Sequence, residues 1–163
     1  MTTRIGMMMG DPAGIGAELT ARVLAGGSMS AETGVVIVGD PAHLGRGQSV
    51  AGTNITVEEL SGVNDVAVET GTVSILPQAL DGAADYPYGE SRPEGGRYML
   101  DCFETLLSLY KEKRIDSICF APLNKYSLKI GGMGTADEGD WLTEKLAYTG
   151  HTAELNVIDG LWT

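Results

Sequence analysis

Short apolar runs alternate with polar, glycine-containing breaks over the first forty residues. Residues 5–9 form an apolar run typical of a buried strand, and the glycine-rich turn at residues 10–16 follows it. The apolar spacing after this turn predicts a helix that ends at Gly26 and Gly27, and residues 35–38 predict a second buried strand. The order strand, turn, helix, strand indicates an α/β fold with a parallel sheet.

The middle of the chain has a weaker pattern. Residues 54–57 and 73–76 predict two further strands. Between residues 81 and 96, prolines and glycines recur, which predicts a long surface connection in place of regular elements.

The clearest helical periodicity begins at Tyr98. Apolar residues recur there at helical spacing, namely Met99, Cys102, Phe103, Leu106, Leu107 and Tyr110. Residues 117–120 then predict another buried strand, and residues 121–125 (APLNK) lie just beyond its carboxyl end. Ligands bind at that edge of open α/β sheets, so this segment is a candidate site.

The last forty residues predict a second, shorter region. A helix is expected over residues 139–147 and a strand over residues 155–158. We place a first α/β domain at residues 1–122 and the start of a second, dimer-forming domain at residues 123–163. The apolar final residues predict an element still in progress, so we expect the polypeptide to be longer than this chain.

Composition narrows the class of protein. The chain has 163 residues, 43% of them hydrophobic, which is typical of a globular domain, and its apolar runs are too short to span a membrane. A net charge of −11 without a cluster of Lys or Arg argues against nucleic-acid binding. The first residues lack a signal-peptide pattern, so a cytoplasmic location is expected. Cys102 and Cys119 are expected to be buried, unpaired thiols.

The glycine-rich turn is the first candidate site. Its glycines would let a nucleotide or phosphate approach the backbone, and the N–H groups of the following helix would face that ligand. Asp11 would repel a phosphate beside it, so a simple tight turn explains the pattern as well. Asp11 could instead orient a ribose or a substrate hydroxyl.

Asn124 and Lys125 are the second candidate. The amine of Lys125 could neutralise a phosphate or a developing alkoxide. The alternative is an asparagine that caps a helix, followed by a solvated lysine.

A metal site is not predicted from the histidines or the acidic residues. His43 and His151 have no ligand-spaced partner, and each is expected to lie on the surface or to be satisfied locally. Asp137, Glu138 and Asp140 could ligate a hard cation, although carboxylates at a solvated helix N-terminus explain them better.

Three motifs occur in order along the chain: residues 10–18 (GDPAGIGAE), residues 94–98 (EGGRY) at the long helix, and residues 121–125 (APLNK) after a strand. Together they resemble the 4-hydroxythreonine-4-phosphate dehydrogenase family of vitamin B6 synthesis, for which the first motif is fairly specific. The resemblance extends over essentially the whole chain, which would be the amino-terminal half of such an enzyme.

The resemblance implies a fold like that of isocitrate and isopropylmalate dehydrogenases, with two α/β domains flanking a cleft in a homodimer. The family uses NAD or NADP to oxidise a phosphorylated hydroxy acid such as 4-phosphohydroxy-L-threonine. A divalent metal (Zn, Mg, Mn or Co) polarises the hydroxyl, and the β-keto acid then decarboxylates. The metal ligands and the main phosphate-binding residues are expected beyond residue 163.

Site residues follow by position in the motifs. Lys125 is the expected catalytic residue, and the expected cofactor contacts are Asp11, Gly14 and Gly16. The expected substrate contacts are Asn124, Glu138, Gly139 and Asp140.

One motif departs from the family pattern. A Gly-His-Thr-Glu segment usually follows the Asn/His-Lys pair, whereas residues 137–140 here are DEGD, and residues 150–152 (GHT) come too late to match. The substrate could therefore be a threonate or erythronate phosphate, or an unphosphorylated diol, or the scaffold could be a non-catalytic remnant. A phosphotransferase is disfavoured because the turn lacks the Walker lysine.

Overall fold

A computed structural model describes residues 3–27, 31–153, 155, 157–158 and 161–162. The strands are β1 (Thr3–Met8), β2 (Thr33–Gly39), β3 (Glu58–Glu59), β4 (Val73–Pro77), β5 (Ser117–Phe120), β6 (Val157–Ile158) and β7 (Leu161–Trp162). The α-helices are α1 (Gly16–Ala25), α2 (Pro41–Ala51), α3 (Pro93–Lys111), α4 (Lys125–Ile130) and α5 (Glu138–Lys145). Short 3₁₀ turns lie at Val63–Asp65 and Ala83–Asp85.

The first five strands form one parallel sheet in the order β3-β4-β2-β1-β5. Residues 35–38 of β2 are fully buried, since helices cover both faces of a parallel sheet and its central strands are apolar throughout. The predicted α/β fold with a parallel sheet is confirmed.

The helices lie on two faces of this sheet. Helices α1 and α2 pack against each other, while α3 contacts β1, β2 and β5 and carries α4 on its surface. The chain steps from β1 to β2 and β4 in one direction and then returns through α3 to β5 on the other side of β1. Right-handed crossovers that run in opposite directions place α3 on the face opposite α1 and α2.

Four expectations from the sequence need correction. Residues 54–57 are not a strand, and the chain pairs later, at Glu58–Glu59. Strand β5 is present but largely exposed, because it lies at the edge of the sheet. Helix α3 begins at Pro93, where proline fits the first helical position, so it starts before residue 98. In the predicted strand 155–158, residues 157–158 are paired, Leu155 is not, and residue 156 lies outside the described residues.

The chain divides into two compact units, Met1–Met133 and Gly134–Thr163, and each is described by itself. Helix α4 belongs to the first unit because it packs on α3. The domain boundary after residue 122, with a dimer-forming second domain, stays a prediction. No described helix combines the length and apolarity needed to cross a membrane.

Candidate functional site at the carboxyl ends of β1 and β5

The order in which the chain adds strands to the sheet reverses at β1. The chain leaves β1 toward β2 on one side, and β5 flanks β1 on the other side. Open α/β sheets bind ligands at the carboxyl ends of two such strands. The glycine-rich turn and the segment 121–125 meet there, since the Asp11 N–H donates to the Pro122 carbonyl at 3.1 Å. The structure thus brings together two motifs that lie more than a hundred positions apart in sequence.

Asp11 is a buried carboxylate at this junction, 5% exposed. Its Oδ1 accepts the Ala13 N–H at 2.9 Å, and its Oδ2 accepts the hydroxyl of Ser127 at 3.3 Å. Ser127 is itself fully buried on α4. Both oxygens of Asp11 therefore have partners within the protein, and the carboxylate holds the β1 turn against α4.

Asn124 precedes α4 and caps it. Its Oδ1 accepts the Ser127 N–H at 3.0 Å, and its Nδ2 donates to the Ser91 hydroxyl at 3.0 Å. Helix capping, one of the two roles open from the sequence, is thus observed for Asn124. Lys125 occupies the first position of α4, and its side chain is exposed. A substrate contact for either residue stays a prediction.

The glycines of the turn serve close packing within the protein. Gly10 has a φ of 73°, and a Cβ there would collide with the Pro122 carbonyl oxygen. A Cβ on Gly16 would collide with the Met9 carbonyl oxygen. Gly14 has more room, because its nearest neighbour would be the Asp11 carbonyl oxygen at 3.3 Å. The glycine requirement at positions 10 and 16 therefore has a cause other than a cofactor, and cofactor contacts by Asp11, Gly14 and Gly16 stay a prediction.

Sequence reasoning missed Arg46 of α2, which joins the turn to the loop that covers it. Its guanidinium donates to the carbonyl oxygens of Pro12 and Tyr86 and lies 4.4 Å from the centre of the Tyr88 ring. The Gly89 N–H donates to the Ala13 carbonyl at 2.8 Å. The segment around Tyr86 thus lies on the glycine-rich turn. A lone arginine in a helix and an aromatic loop forty residues later carry no spacing signal that would have paired them.

His43 differs from the expectation of a surface or locally satisfied residue. It is fully buried, with Nδ1 3.4 Å from the Tyr98 hydroxyl, while no hydrogen-bond partner is found for its Nε2 among the described residues. Burial, reinforced by the positive charge of Arg46, lowers the pKa of His43 to about 4. The imidazole is therefore neutral at pH 7.

The two cysteines differ in exposure. Cys102 is buried on α3, as expected, and its burial raises the pKa of its thiol well above the usual range. Cys119 is exposed on β5, so the expectation that it is buried is wrong. An edge strand leaves one of its sides uncovered, which the local sequence does not reveal.

The second unit carries the segment that departs from the family motif. Asp137 caps α5 by accepting the Asp140 N–H at 2.9 Å, and Glu138 and Asp140 lie in the first helical turn. This is the helix-terminus arrangement favoured from the sequence. A depression of about 180 Å³ beside it is lined by Asp137, Gly139, Asp140, Thr152 and Ala153. Thr152 thus lies beside the start of α5, while His151 is exposed.

A metal centre is not formed by the described residues, since no three His, Cys, Asp or Glu side chains among them are placed to hold an ion.

Comparison with curated proteins gives relatives that are named as dehydrogenases of two different phosphorylated hydroxy acids. A protein of Pseudomonas aeruginosa, named provisionally as 4-hydroxythreonine-4-phosphate dehydrogenase 2, is 37% identical over 160 residues, which are 98% of this chain and 48% of that protein. The D-threonate 4-phosphate dehydrogenase of Cupriavidus necator is 28% identical, with 94% of this chain and 45% of that protein covered. The chain spans about half the length of the curated relatives it matches.

Solved structures that are similar to this chain are also named as dehydrogenases. The 4-hydroxythreonine-4-phosphate dehydrogenase of Burkholderia phymatum superposes with a TM-score of 0.83 at 27% identity, covering 99% of this chain and 48% of that chain. A terephthalate 1,2-cis-dihydrodiol dehydrogenase of Burkholderia xenovorans shares the fold at a TM-score of 0.68 and 16% identity.

The family model described as pyridoxal phosphate biosynthetic protein PdxA matches residues 31–163. With that match and the relatives above, the chain belongs to the PdxA family and corresponds to the amino-terminal half of its members.

Proposed function

We propose that this chain forms the amino-terminal half of a dehydrogenase that oxidises a phosphorylated hydroxy acid with NAD or NADP. The observation that carries the proposal is the junction at the carboxyl ends of β1 and β5, where Asp11 and Ser127 hold the glycine-rich turn against α4. Relatives that share this half are named dehydrogenases of 4-hydroxythreonine 4-phosphate and D-threonate 4-phosphate.

In this proposal, the chain positions Lys125 and supplies its positive charge to the substrate. Asp11 and Asn124 fix the start of α4, so Lys125 is held on a short, capped helix beside this junction. An ammonium group there would stabilise negative charge on the substrate phosphate or on the alkoxide that forms as the hydroxyl loses its proton. The nicotinamide would accept the hydride. Metal assistance and the subsequent decarboxylation are part of the proposal, with ligands supplied from beyond residue 163.

Two substrates are favoured by particular observations. The names of the relatives support 4-phosphohydroxy-L-threonine. The D-threonate 4-phosphate dehydrogenase relative supports a sugar-acid phosphate. Glu138 and Gly139, in place of the family's His and Thr, remove a hydrogen-bond donor and add a carboxylate, which also favours a substrate other than the vitamin B6 precursor. A panel of both phosphates, erythronate 4-phosphate and an unphosphorylated diol would discriminate among them.

The test uses a complete enzyme, made by joining this chain to the carboxyl-terminal half of the Pseudomonas aeruginosa relative. NAD and NADP reduction is followed by absorbance with each substrate and with Mg, Mn, Co or Zn. We expect Lys125→Ala to lower kcat by about 100-fold, the scale for removing one charge-stabilising group, with little change in melting temperature. Lys129→Ala, an exposed lysine at the other end of α4, is the matched control and should retain activity.

Equal turnover in the Lys125 and Lys129 variants would remove Lys125 from the reaction. A folded chimera that reduces neither cofactor with any substrate would instead favour the non-catalytic scaffold. The homodimer stays a prediction from the family resemblance, and the cytoplasmic location stays a prediction from the first residues, which lack a signal-peptide pattern.

A further inference from the structure

Residues 86–91 connect the 3₁₀ turn at Ala83–Asp85 to α3, and we call them the strap. They form neither a helix nor a strand, so no ladder of backbone hydrogen bonds holds them in place. Tyr86 is nevertheless buried, and a Cβ on Gly95 of α3 would lie 2.6 Å from its hydroxyl. The position of the strap therefore depends on contacts with distant residues.

The strap contacts both motifs that meet at the carboxyl ends of β1 and β5. The Gly89 N–H donates to the Ala13 carbonyl oxygen of the glycine-rich turn at 2.8 Å. The Ser91 hydroxyl accepts the Asn124 Nδ2 at 3.0 Å, and Asn124 also caps α4 by accepting the Ser127 N–H. The strap thus links the glycine-rich turn to the start of α4.

Arg46 joins this irregular segment to a fixed helix. Its guanidinium donates to the carbonyl oxygens of Pro12 and Tyr86 at once, and it lies 4.4 Å from the centre of the Tyr88 ring. A planar guanidinium can bridge two acceptors and stack on an aromatic ring together, which an ammonium cannot. Helix α2 is packed closely on α1, since a Cβ on Gly47 would collide with the α1 backbone.

We propose that Arg46 is a positioning residue. It fixes the strap on the glycine-rich turn and, through Ser91 and Asn124, fixes the start of α4 that carries Lys125. The role rests on the proposed function, in which Lys125 stabilises negative charge on the substrate. A charge-stabilising group is effective only when its supporting contacts hold it in the productive geometry.

Hydrogen exchange in the chimera with the Pseudomonas aeruginosa half tests the first step. The reporters are the Gly89 N–H in the strap and the Ser127 N–H in α4, and residues 35–38 of β2 are the internal reference. In Arg46→Met we expect both reporters to exchange about 10-fold faster while β2 is unchanged. A general loss of stability would instead accelerate exchange in β2 as well.

A double-mutant cycle tests the route from Arg46 to α4. We expect Arg46→Met to lower kcat by about 10-fold and Ser91→Ala by about 5-fold, because each releases the same strap. The double variant should lose only about 10-fold, since both changes break one chain of contacts. A loss of about 50-fold, the product of the two, would mean that Arg46 does not act through Ser91.

Two further variants separate position from charge. Arg46→Lys keeps the positive charge but cannot bridge both carbonyls, so it should resemble Arg46→Met in exchange and in kcat. Arg22→Met is the matched control, because Arg22 is an exposed arginine on α1 paired with Glu18. It should retain the wild-type kcat and the wild-type exchange of the strap.

Unchanged exchange at Gly89 and Ser127 in Arg46→Met would overturn the proposal, and so would full recovery by Arg46→Lys, which would assign the effect to charge. A chimera that reduces neither cofactor would remove the proposed function. The exchange measurement would still decide whether Arg46 fixes the strap and α4, so the two proposals can fail separately.

Discussion

The same tripeptide, Gly-Asp-Pro, follows two neighbouring strands and forms two different structures. After β1, Gly10 takes a positive φ, and Asp11 accepts hydrogen bonds from its own turn and from Ser127 on the distant α4. After β2, Asp40 caps α2 directly by accepting the Ala42 N–H at 2.8 Å, and its second oxygen accepts the Leu80 N–H at 2.9 Å.

The neighbouring strand accounts for the difference. Strand β1 borders β5, so its turn must fit against the segment after β5. Strand β2 lies between β1 and β4, and its turn is free to enter a helix at once. A short motif therefore specifies a turn, while its place in the sheet determines whether that turn caps the next helix or packs against the segment after a neighbouring strand.

Replacing the glycine of each Gly-Asp-Pro turn should give the largest difference in stability between the two turns. Gly10→Ala places a methyl group against the Pro122 backbone at a positive φ, so we expect a loss of about 4 kcal/mol in the free energy of unfolding. In Gly39→Ala the methyl group meets the ends of the Met9 and Tyr98 side chains at 2.6 and 2.8 Å, and Met9 can move. We expect a loss of about 2 kcal/mol there. Urea unfolding of both variants would show equal losses if the two turns were equivalent.

Removing the cap tests the second turn. Asp40→Ala deletes the acceptor for the first turn of α2 and for the Leu80 N–H, so we expect about 3 kcal/mol of destabilisation in urea unfolding. Asp40→Asn keeps an oxygen for the cap and should recover about half of that loss. An alanine variant as stable as the wild type would mean that Asp40 does not stabilise α2.

The helix after the second turn carries a buried neutral histidine, which predicts a pH dependence. The pKa of His43 is about 4 in the folded protein and about 6.5 in the unfolded chain, so its stabilising effect is complete above pH 6.5 and declines as the pH falls toward 4. We expect about 2 kcal/mol less stability at pH 5 than at pH 7.5 from this group. Urea unfolding at both pH values should show a smaller decrease in His43→Leu, and an equal decrease would exclude His43 as the cause.

The smallest effect is expected within α2 itself. A Cβ on Gly45 would meet no atom within 4 Å, whereas one on Gly47 would collide with the Ala17 backbone. Gly45→Ala should therefore stabilise the protein by about 0.5–1 kcal/mol through helix propensity. Gly47→Ala should destabilise it and is the matched comparison. Thermal melts that rank the two variants the other way would contradict the observed α1–α2 packing.

Local patterns predicted most of the elements and failed where burial depended on distant partners. The strands at residues 5–9 and 35–38 and the long helix were recognisable because apolar spacing and turn chemistry are properties of neighbouring residues. Residues 54–57 have the composition of a strand, but the residues that pair with the sheet are Glu58–Glu59. Strand β5 has an apolar sequence but lies exposed at the edge of the sheet.

The candidate site could be predicted only in part, because local motifs show its residues but not which of them meet. Asp11 was identified because it lies in the glycine-rich turn, and Asn124 because it follows a strand at the edge where ligands bind. Their proximity could not be derived from the sequence, since it depends on β5 lying beside β1 and not beyond β3. Arg46 and Ser127 were missed because their partners lie on loops and turns far away in the sequence.

By itself, the sequence determined the alternation of strands and helices, the positions of the turns and the family, because these depend on short-range spacing and on motifs read in order. The tertiary structure decided the order of the strands, the roles of the two Gly-Asp-Pro turns, the burial of His43 and the exposure of Cys119. Each of these depends on which distant surfaces meet, and that choice follows from the burial of apolar area over the whole chain and not over any one segment.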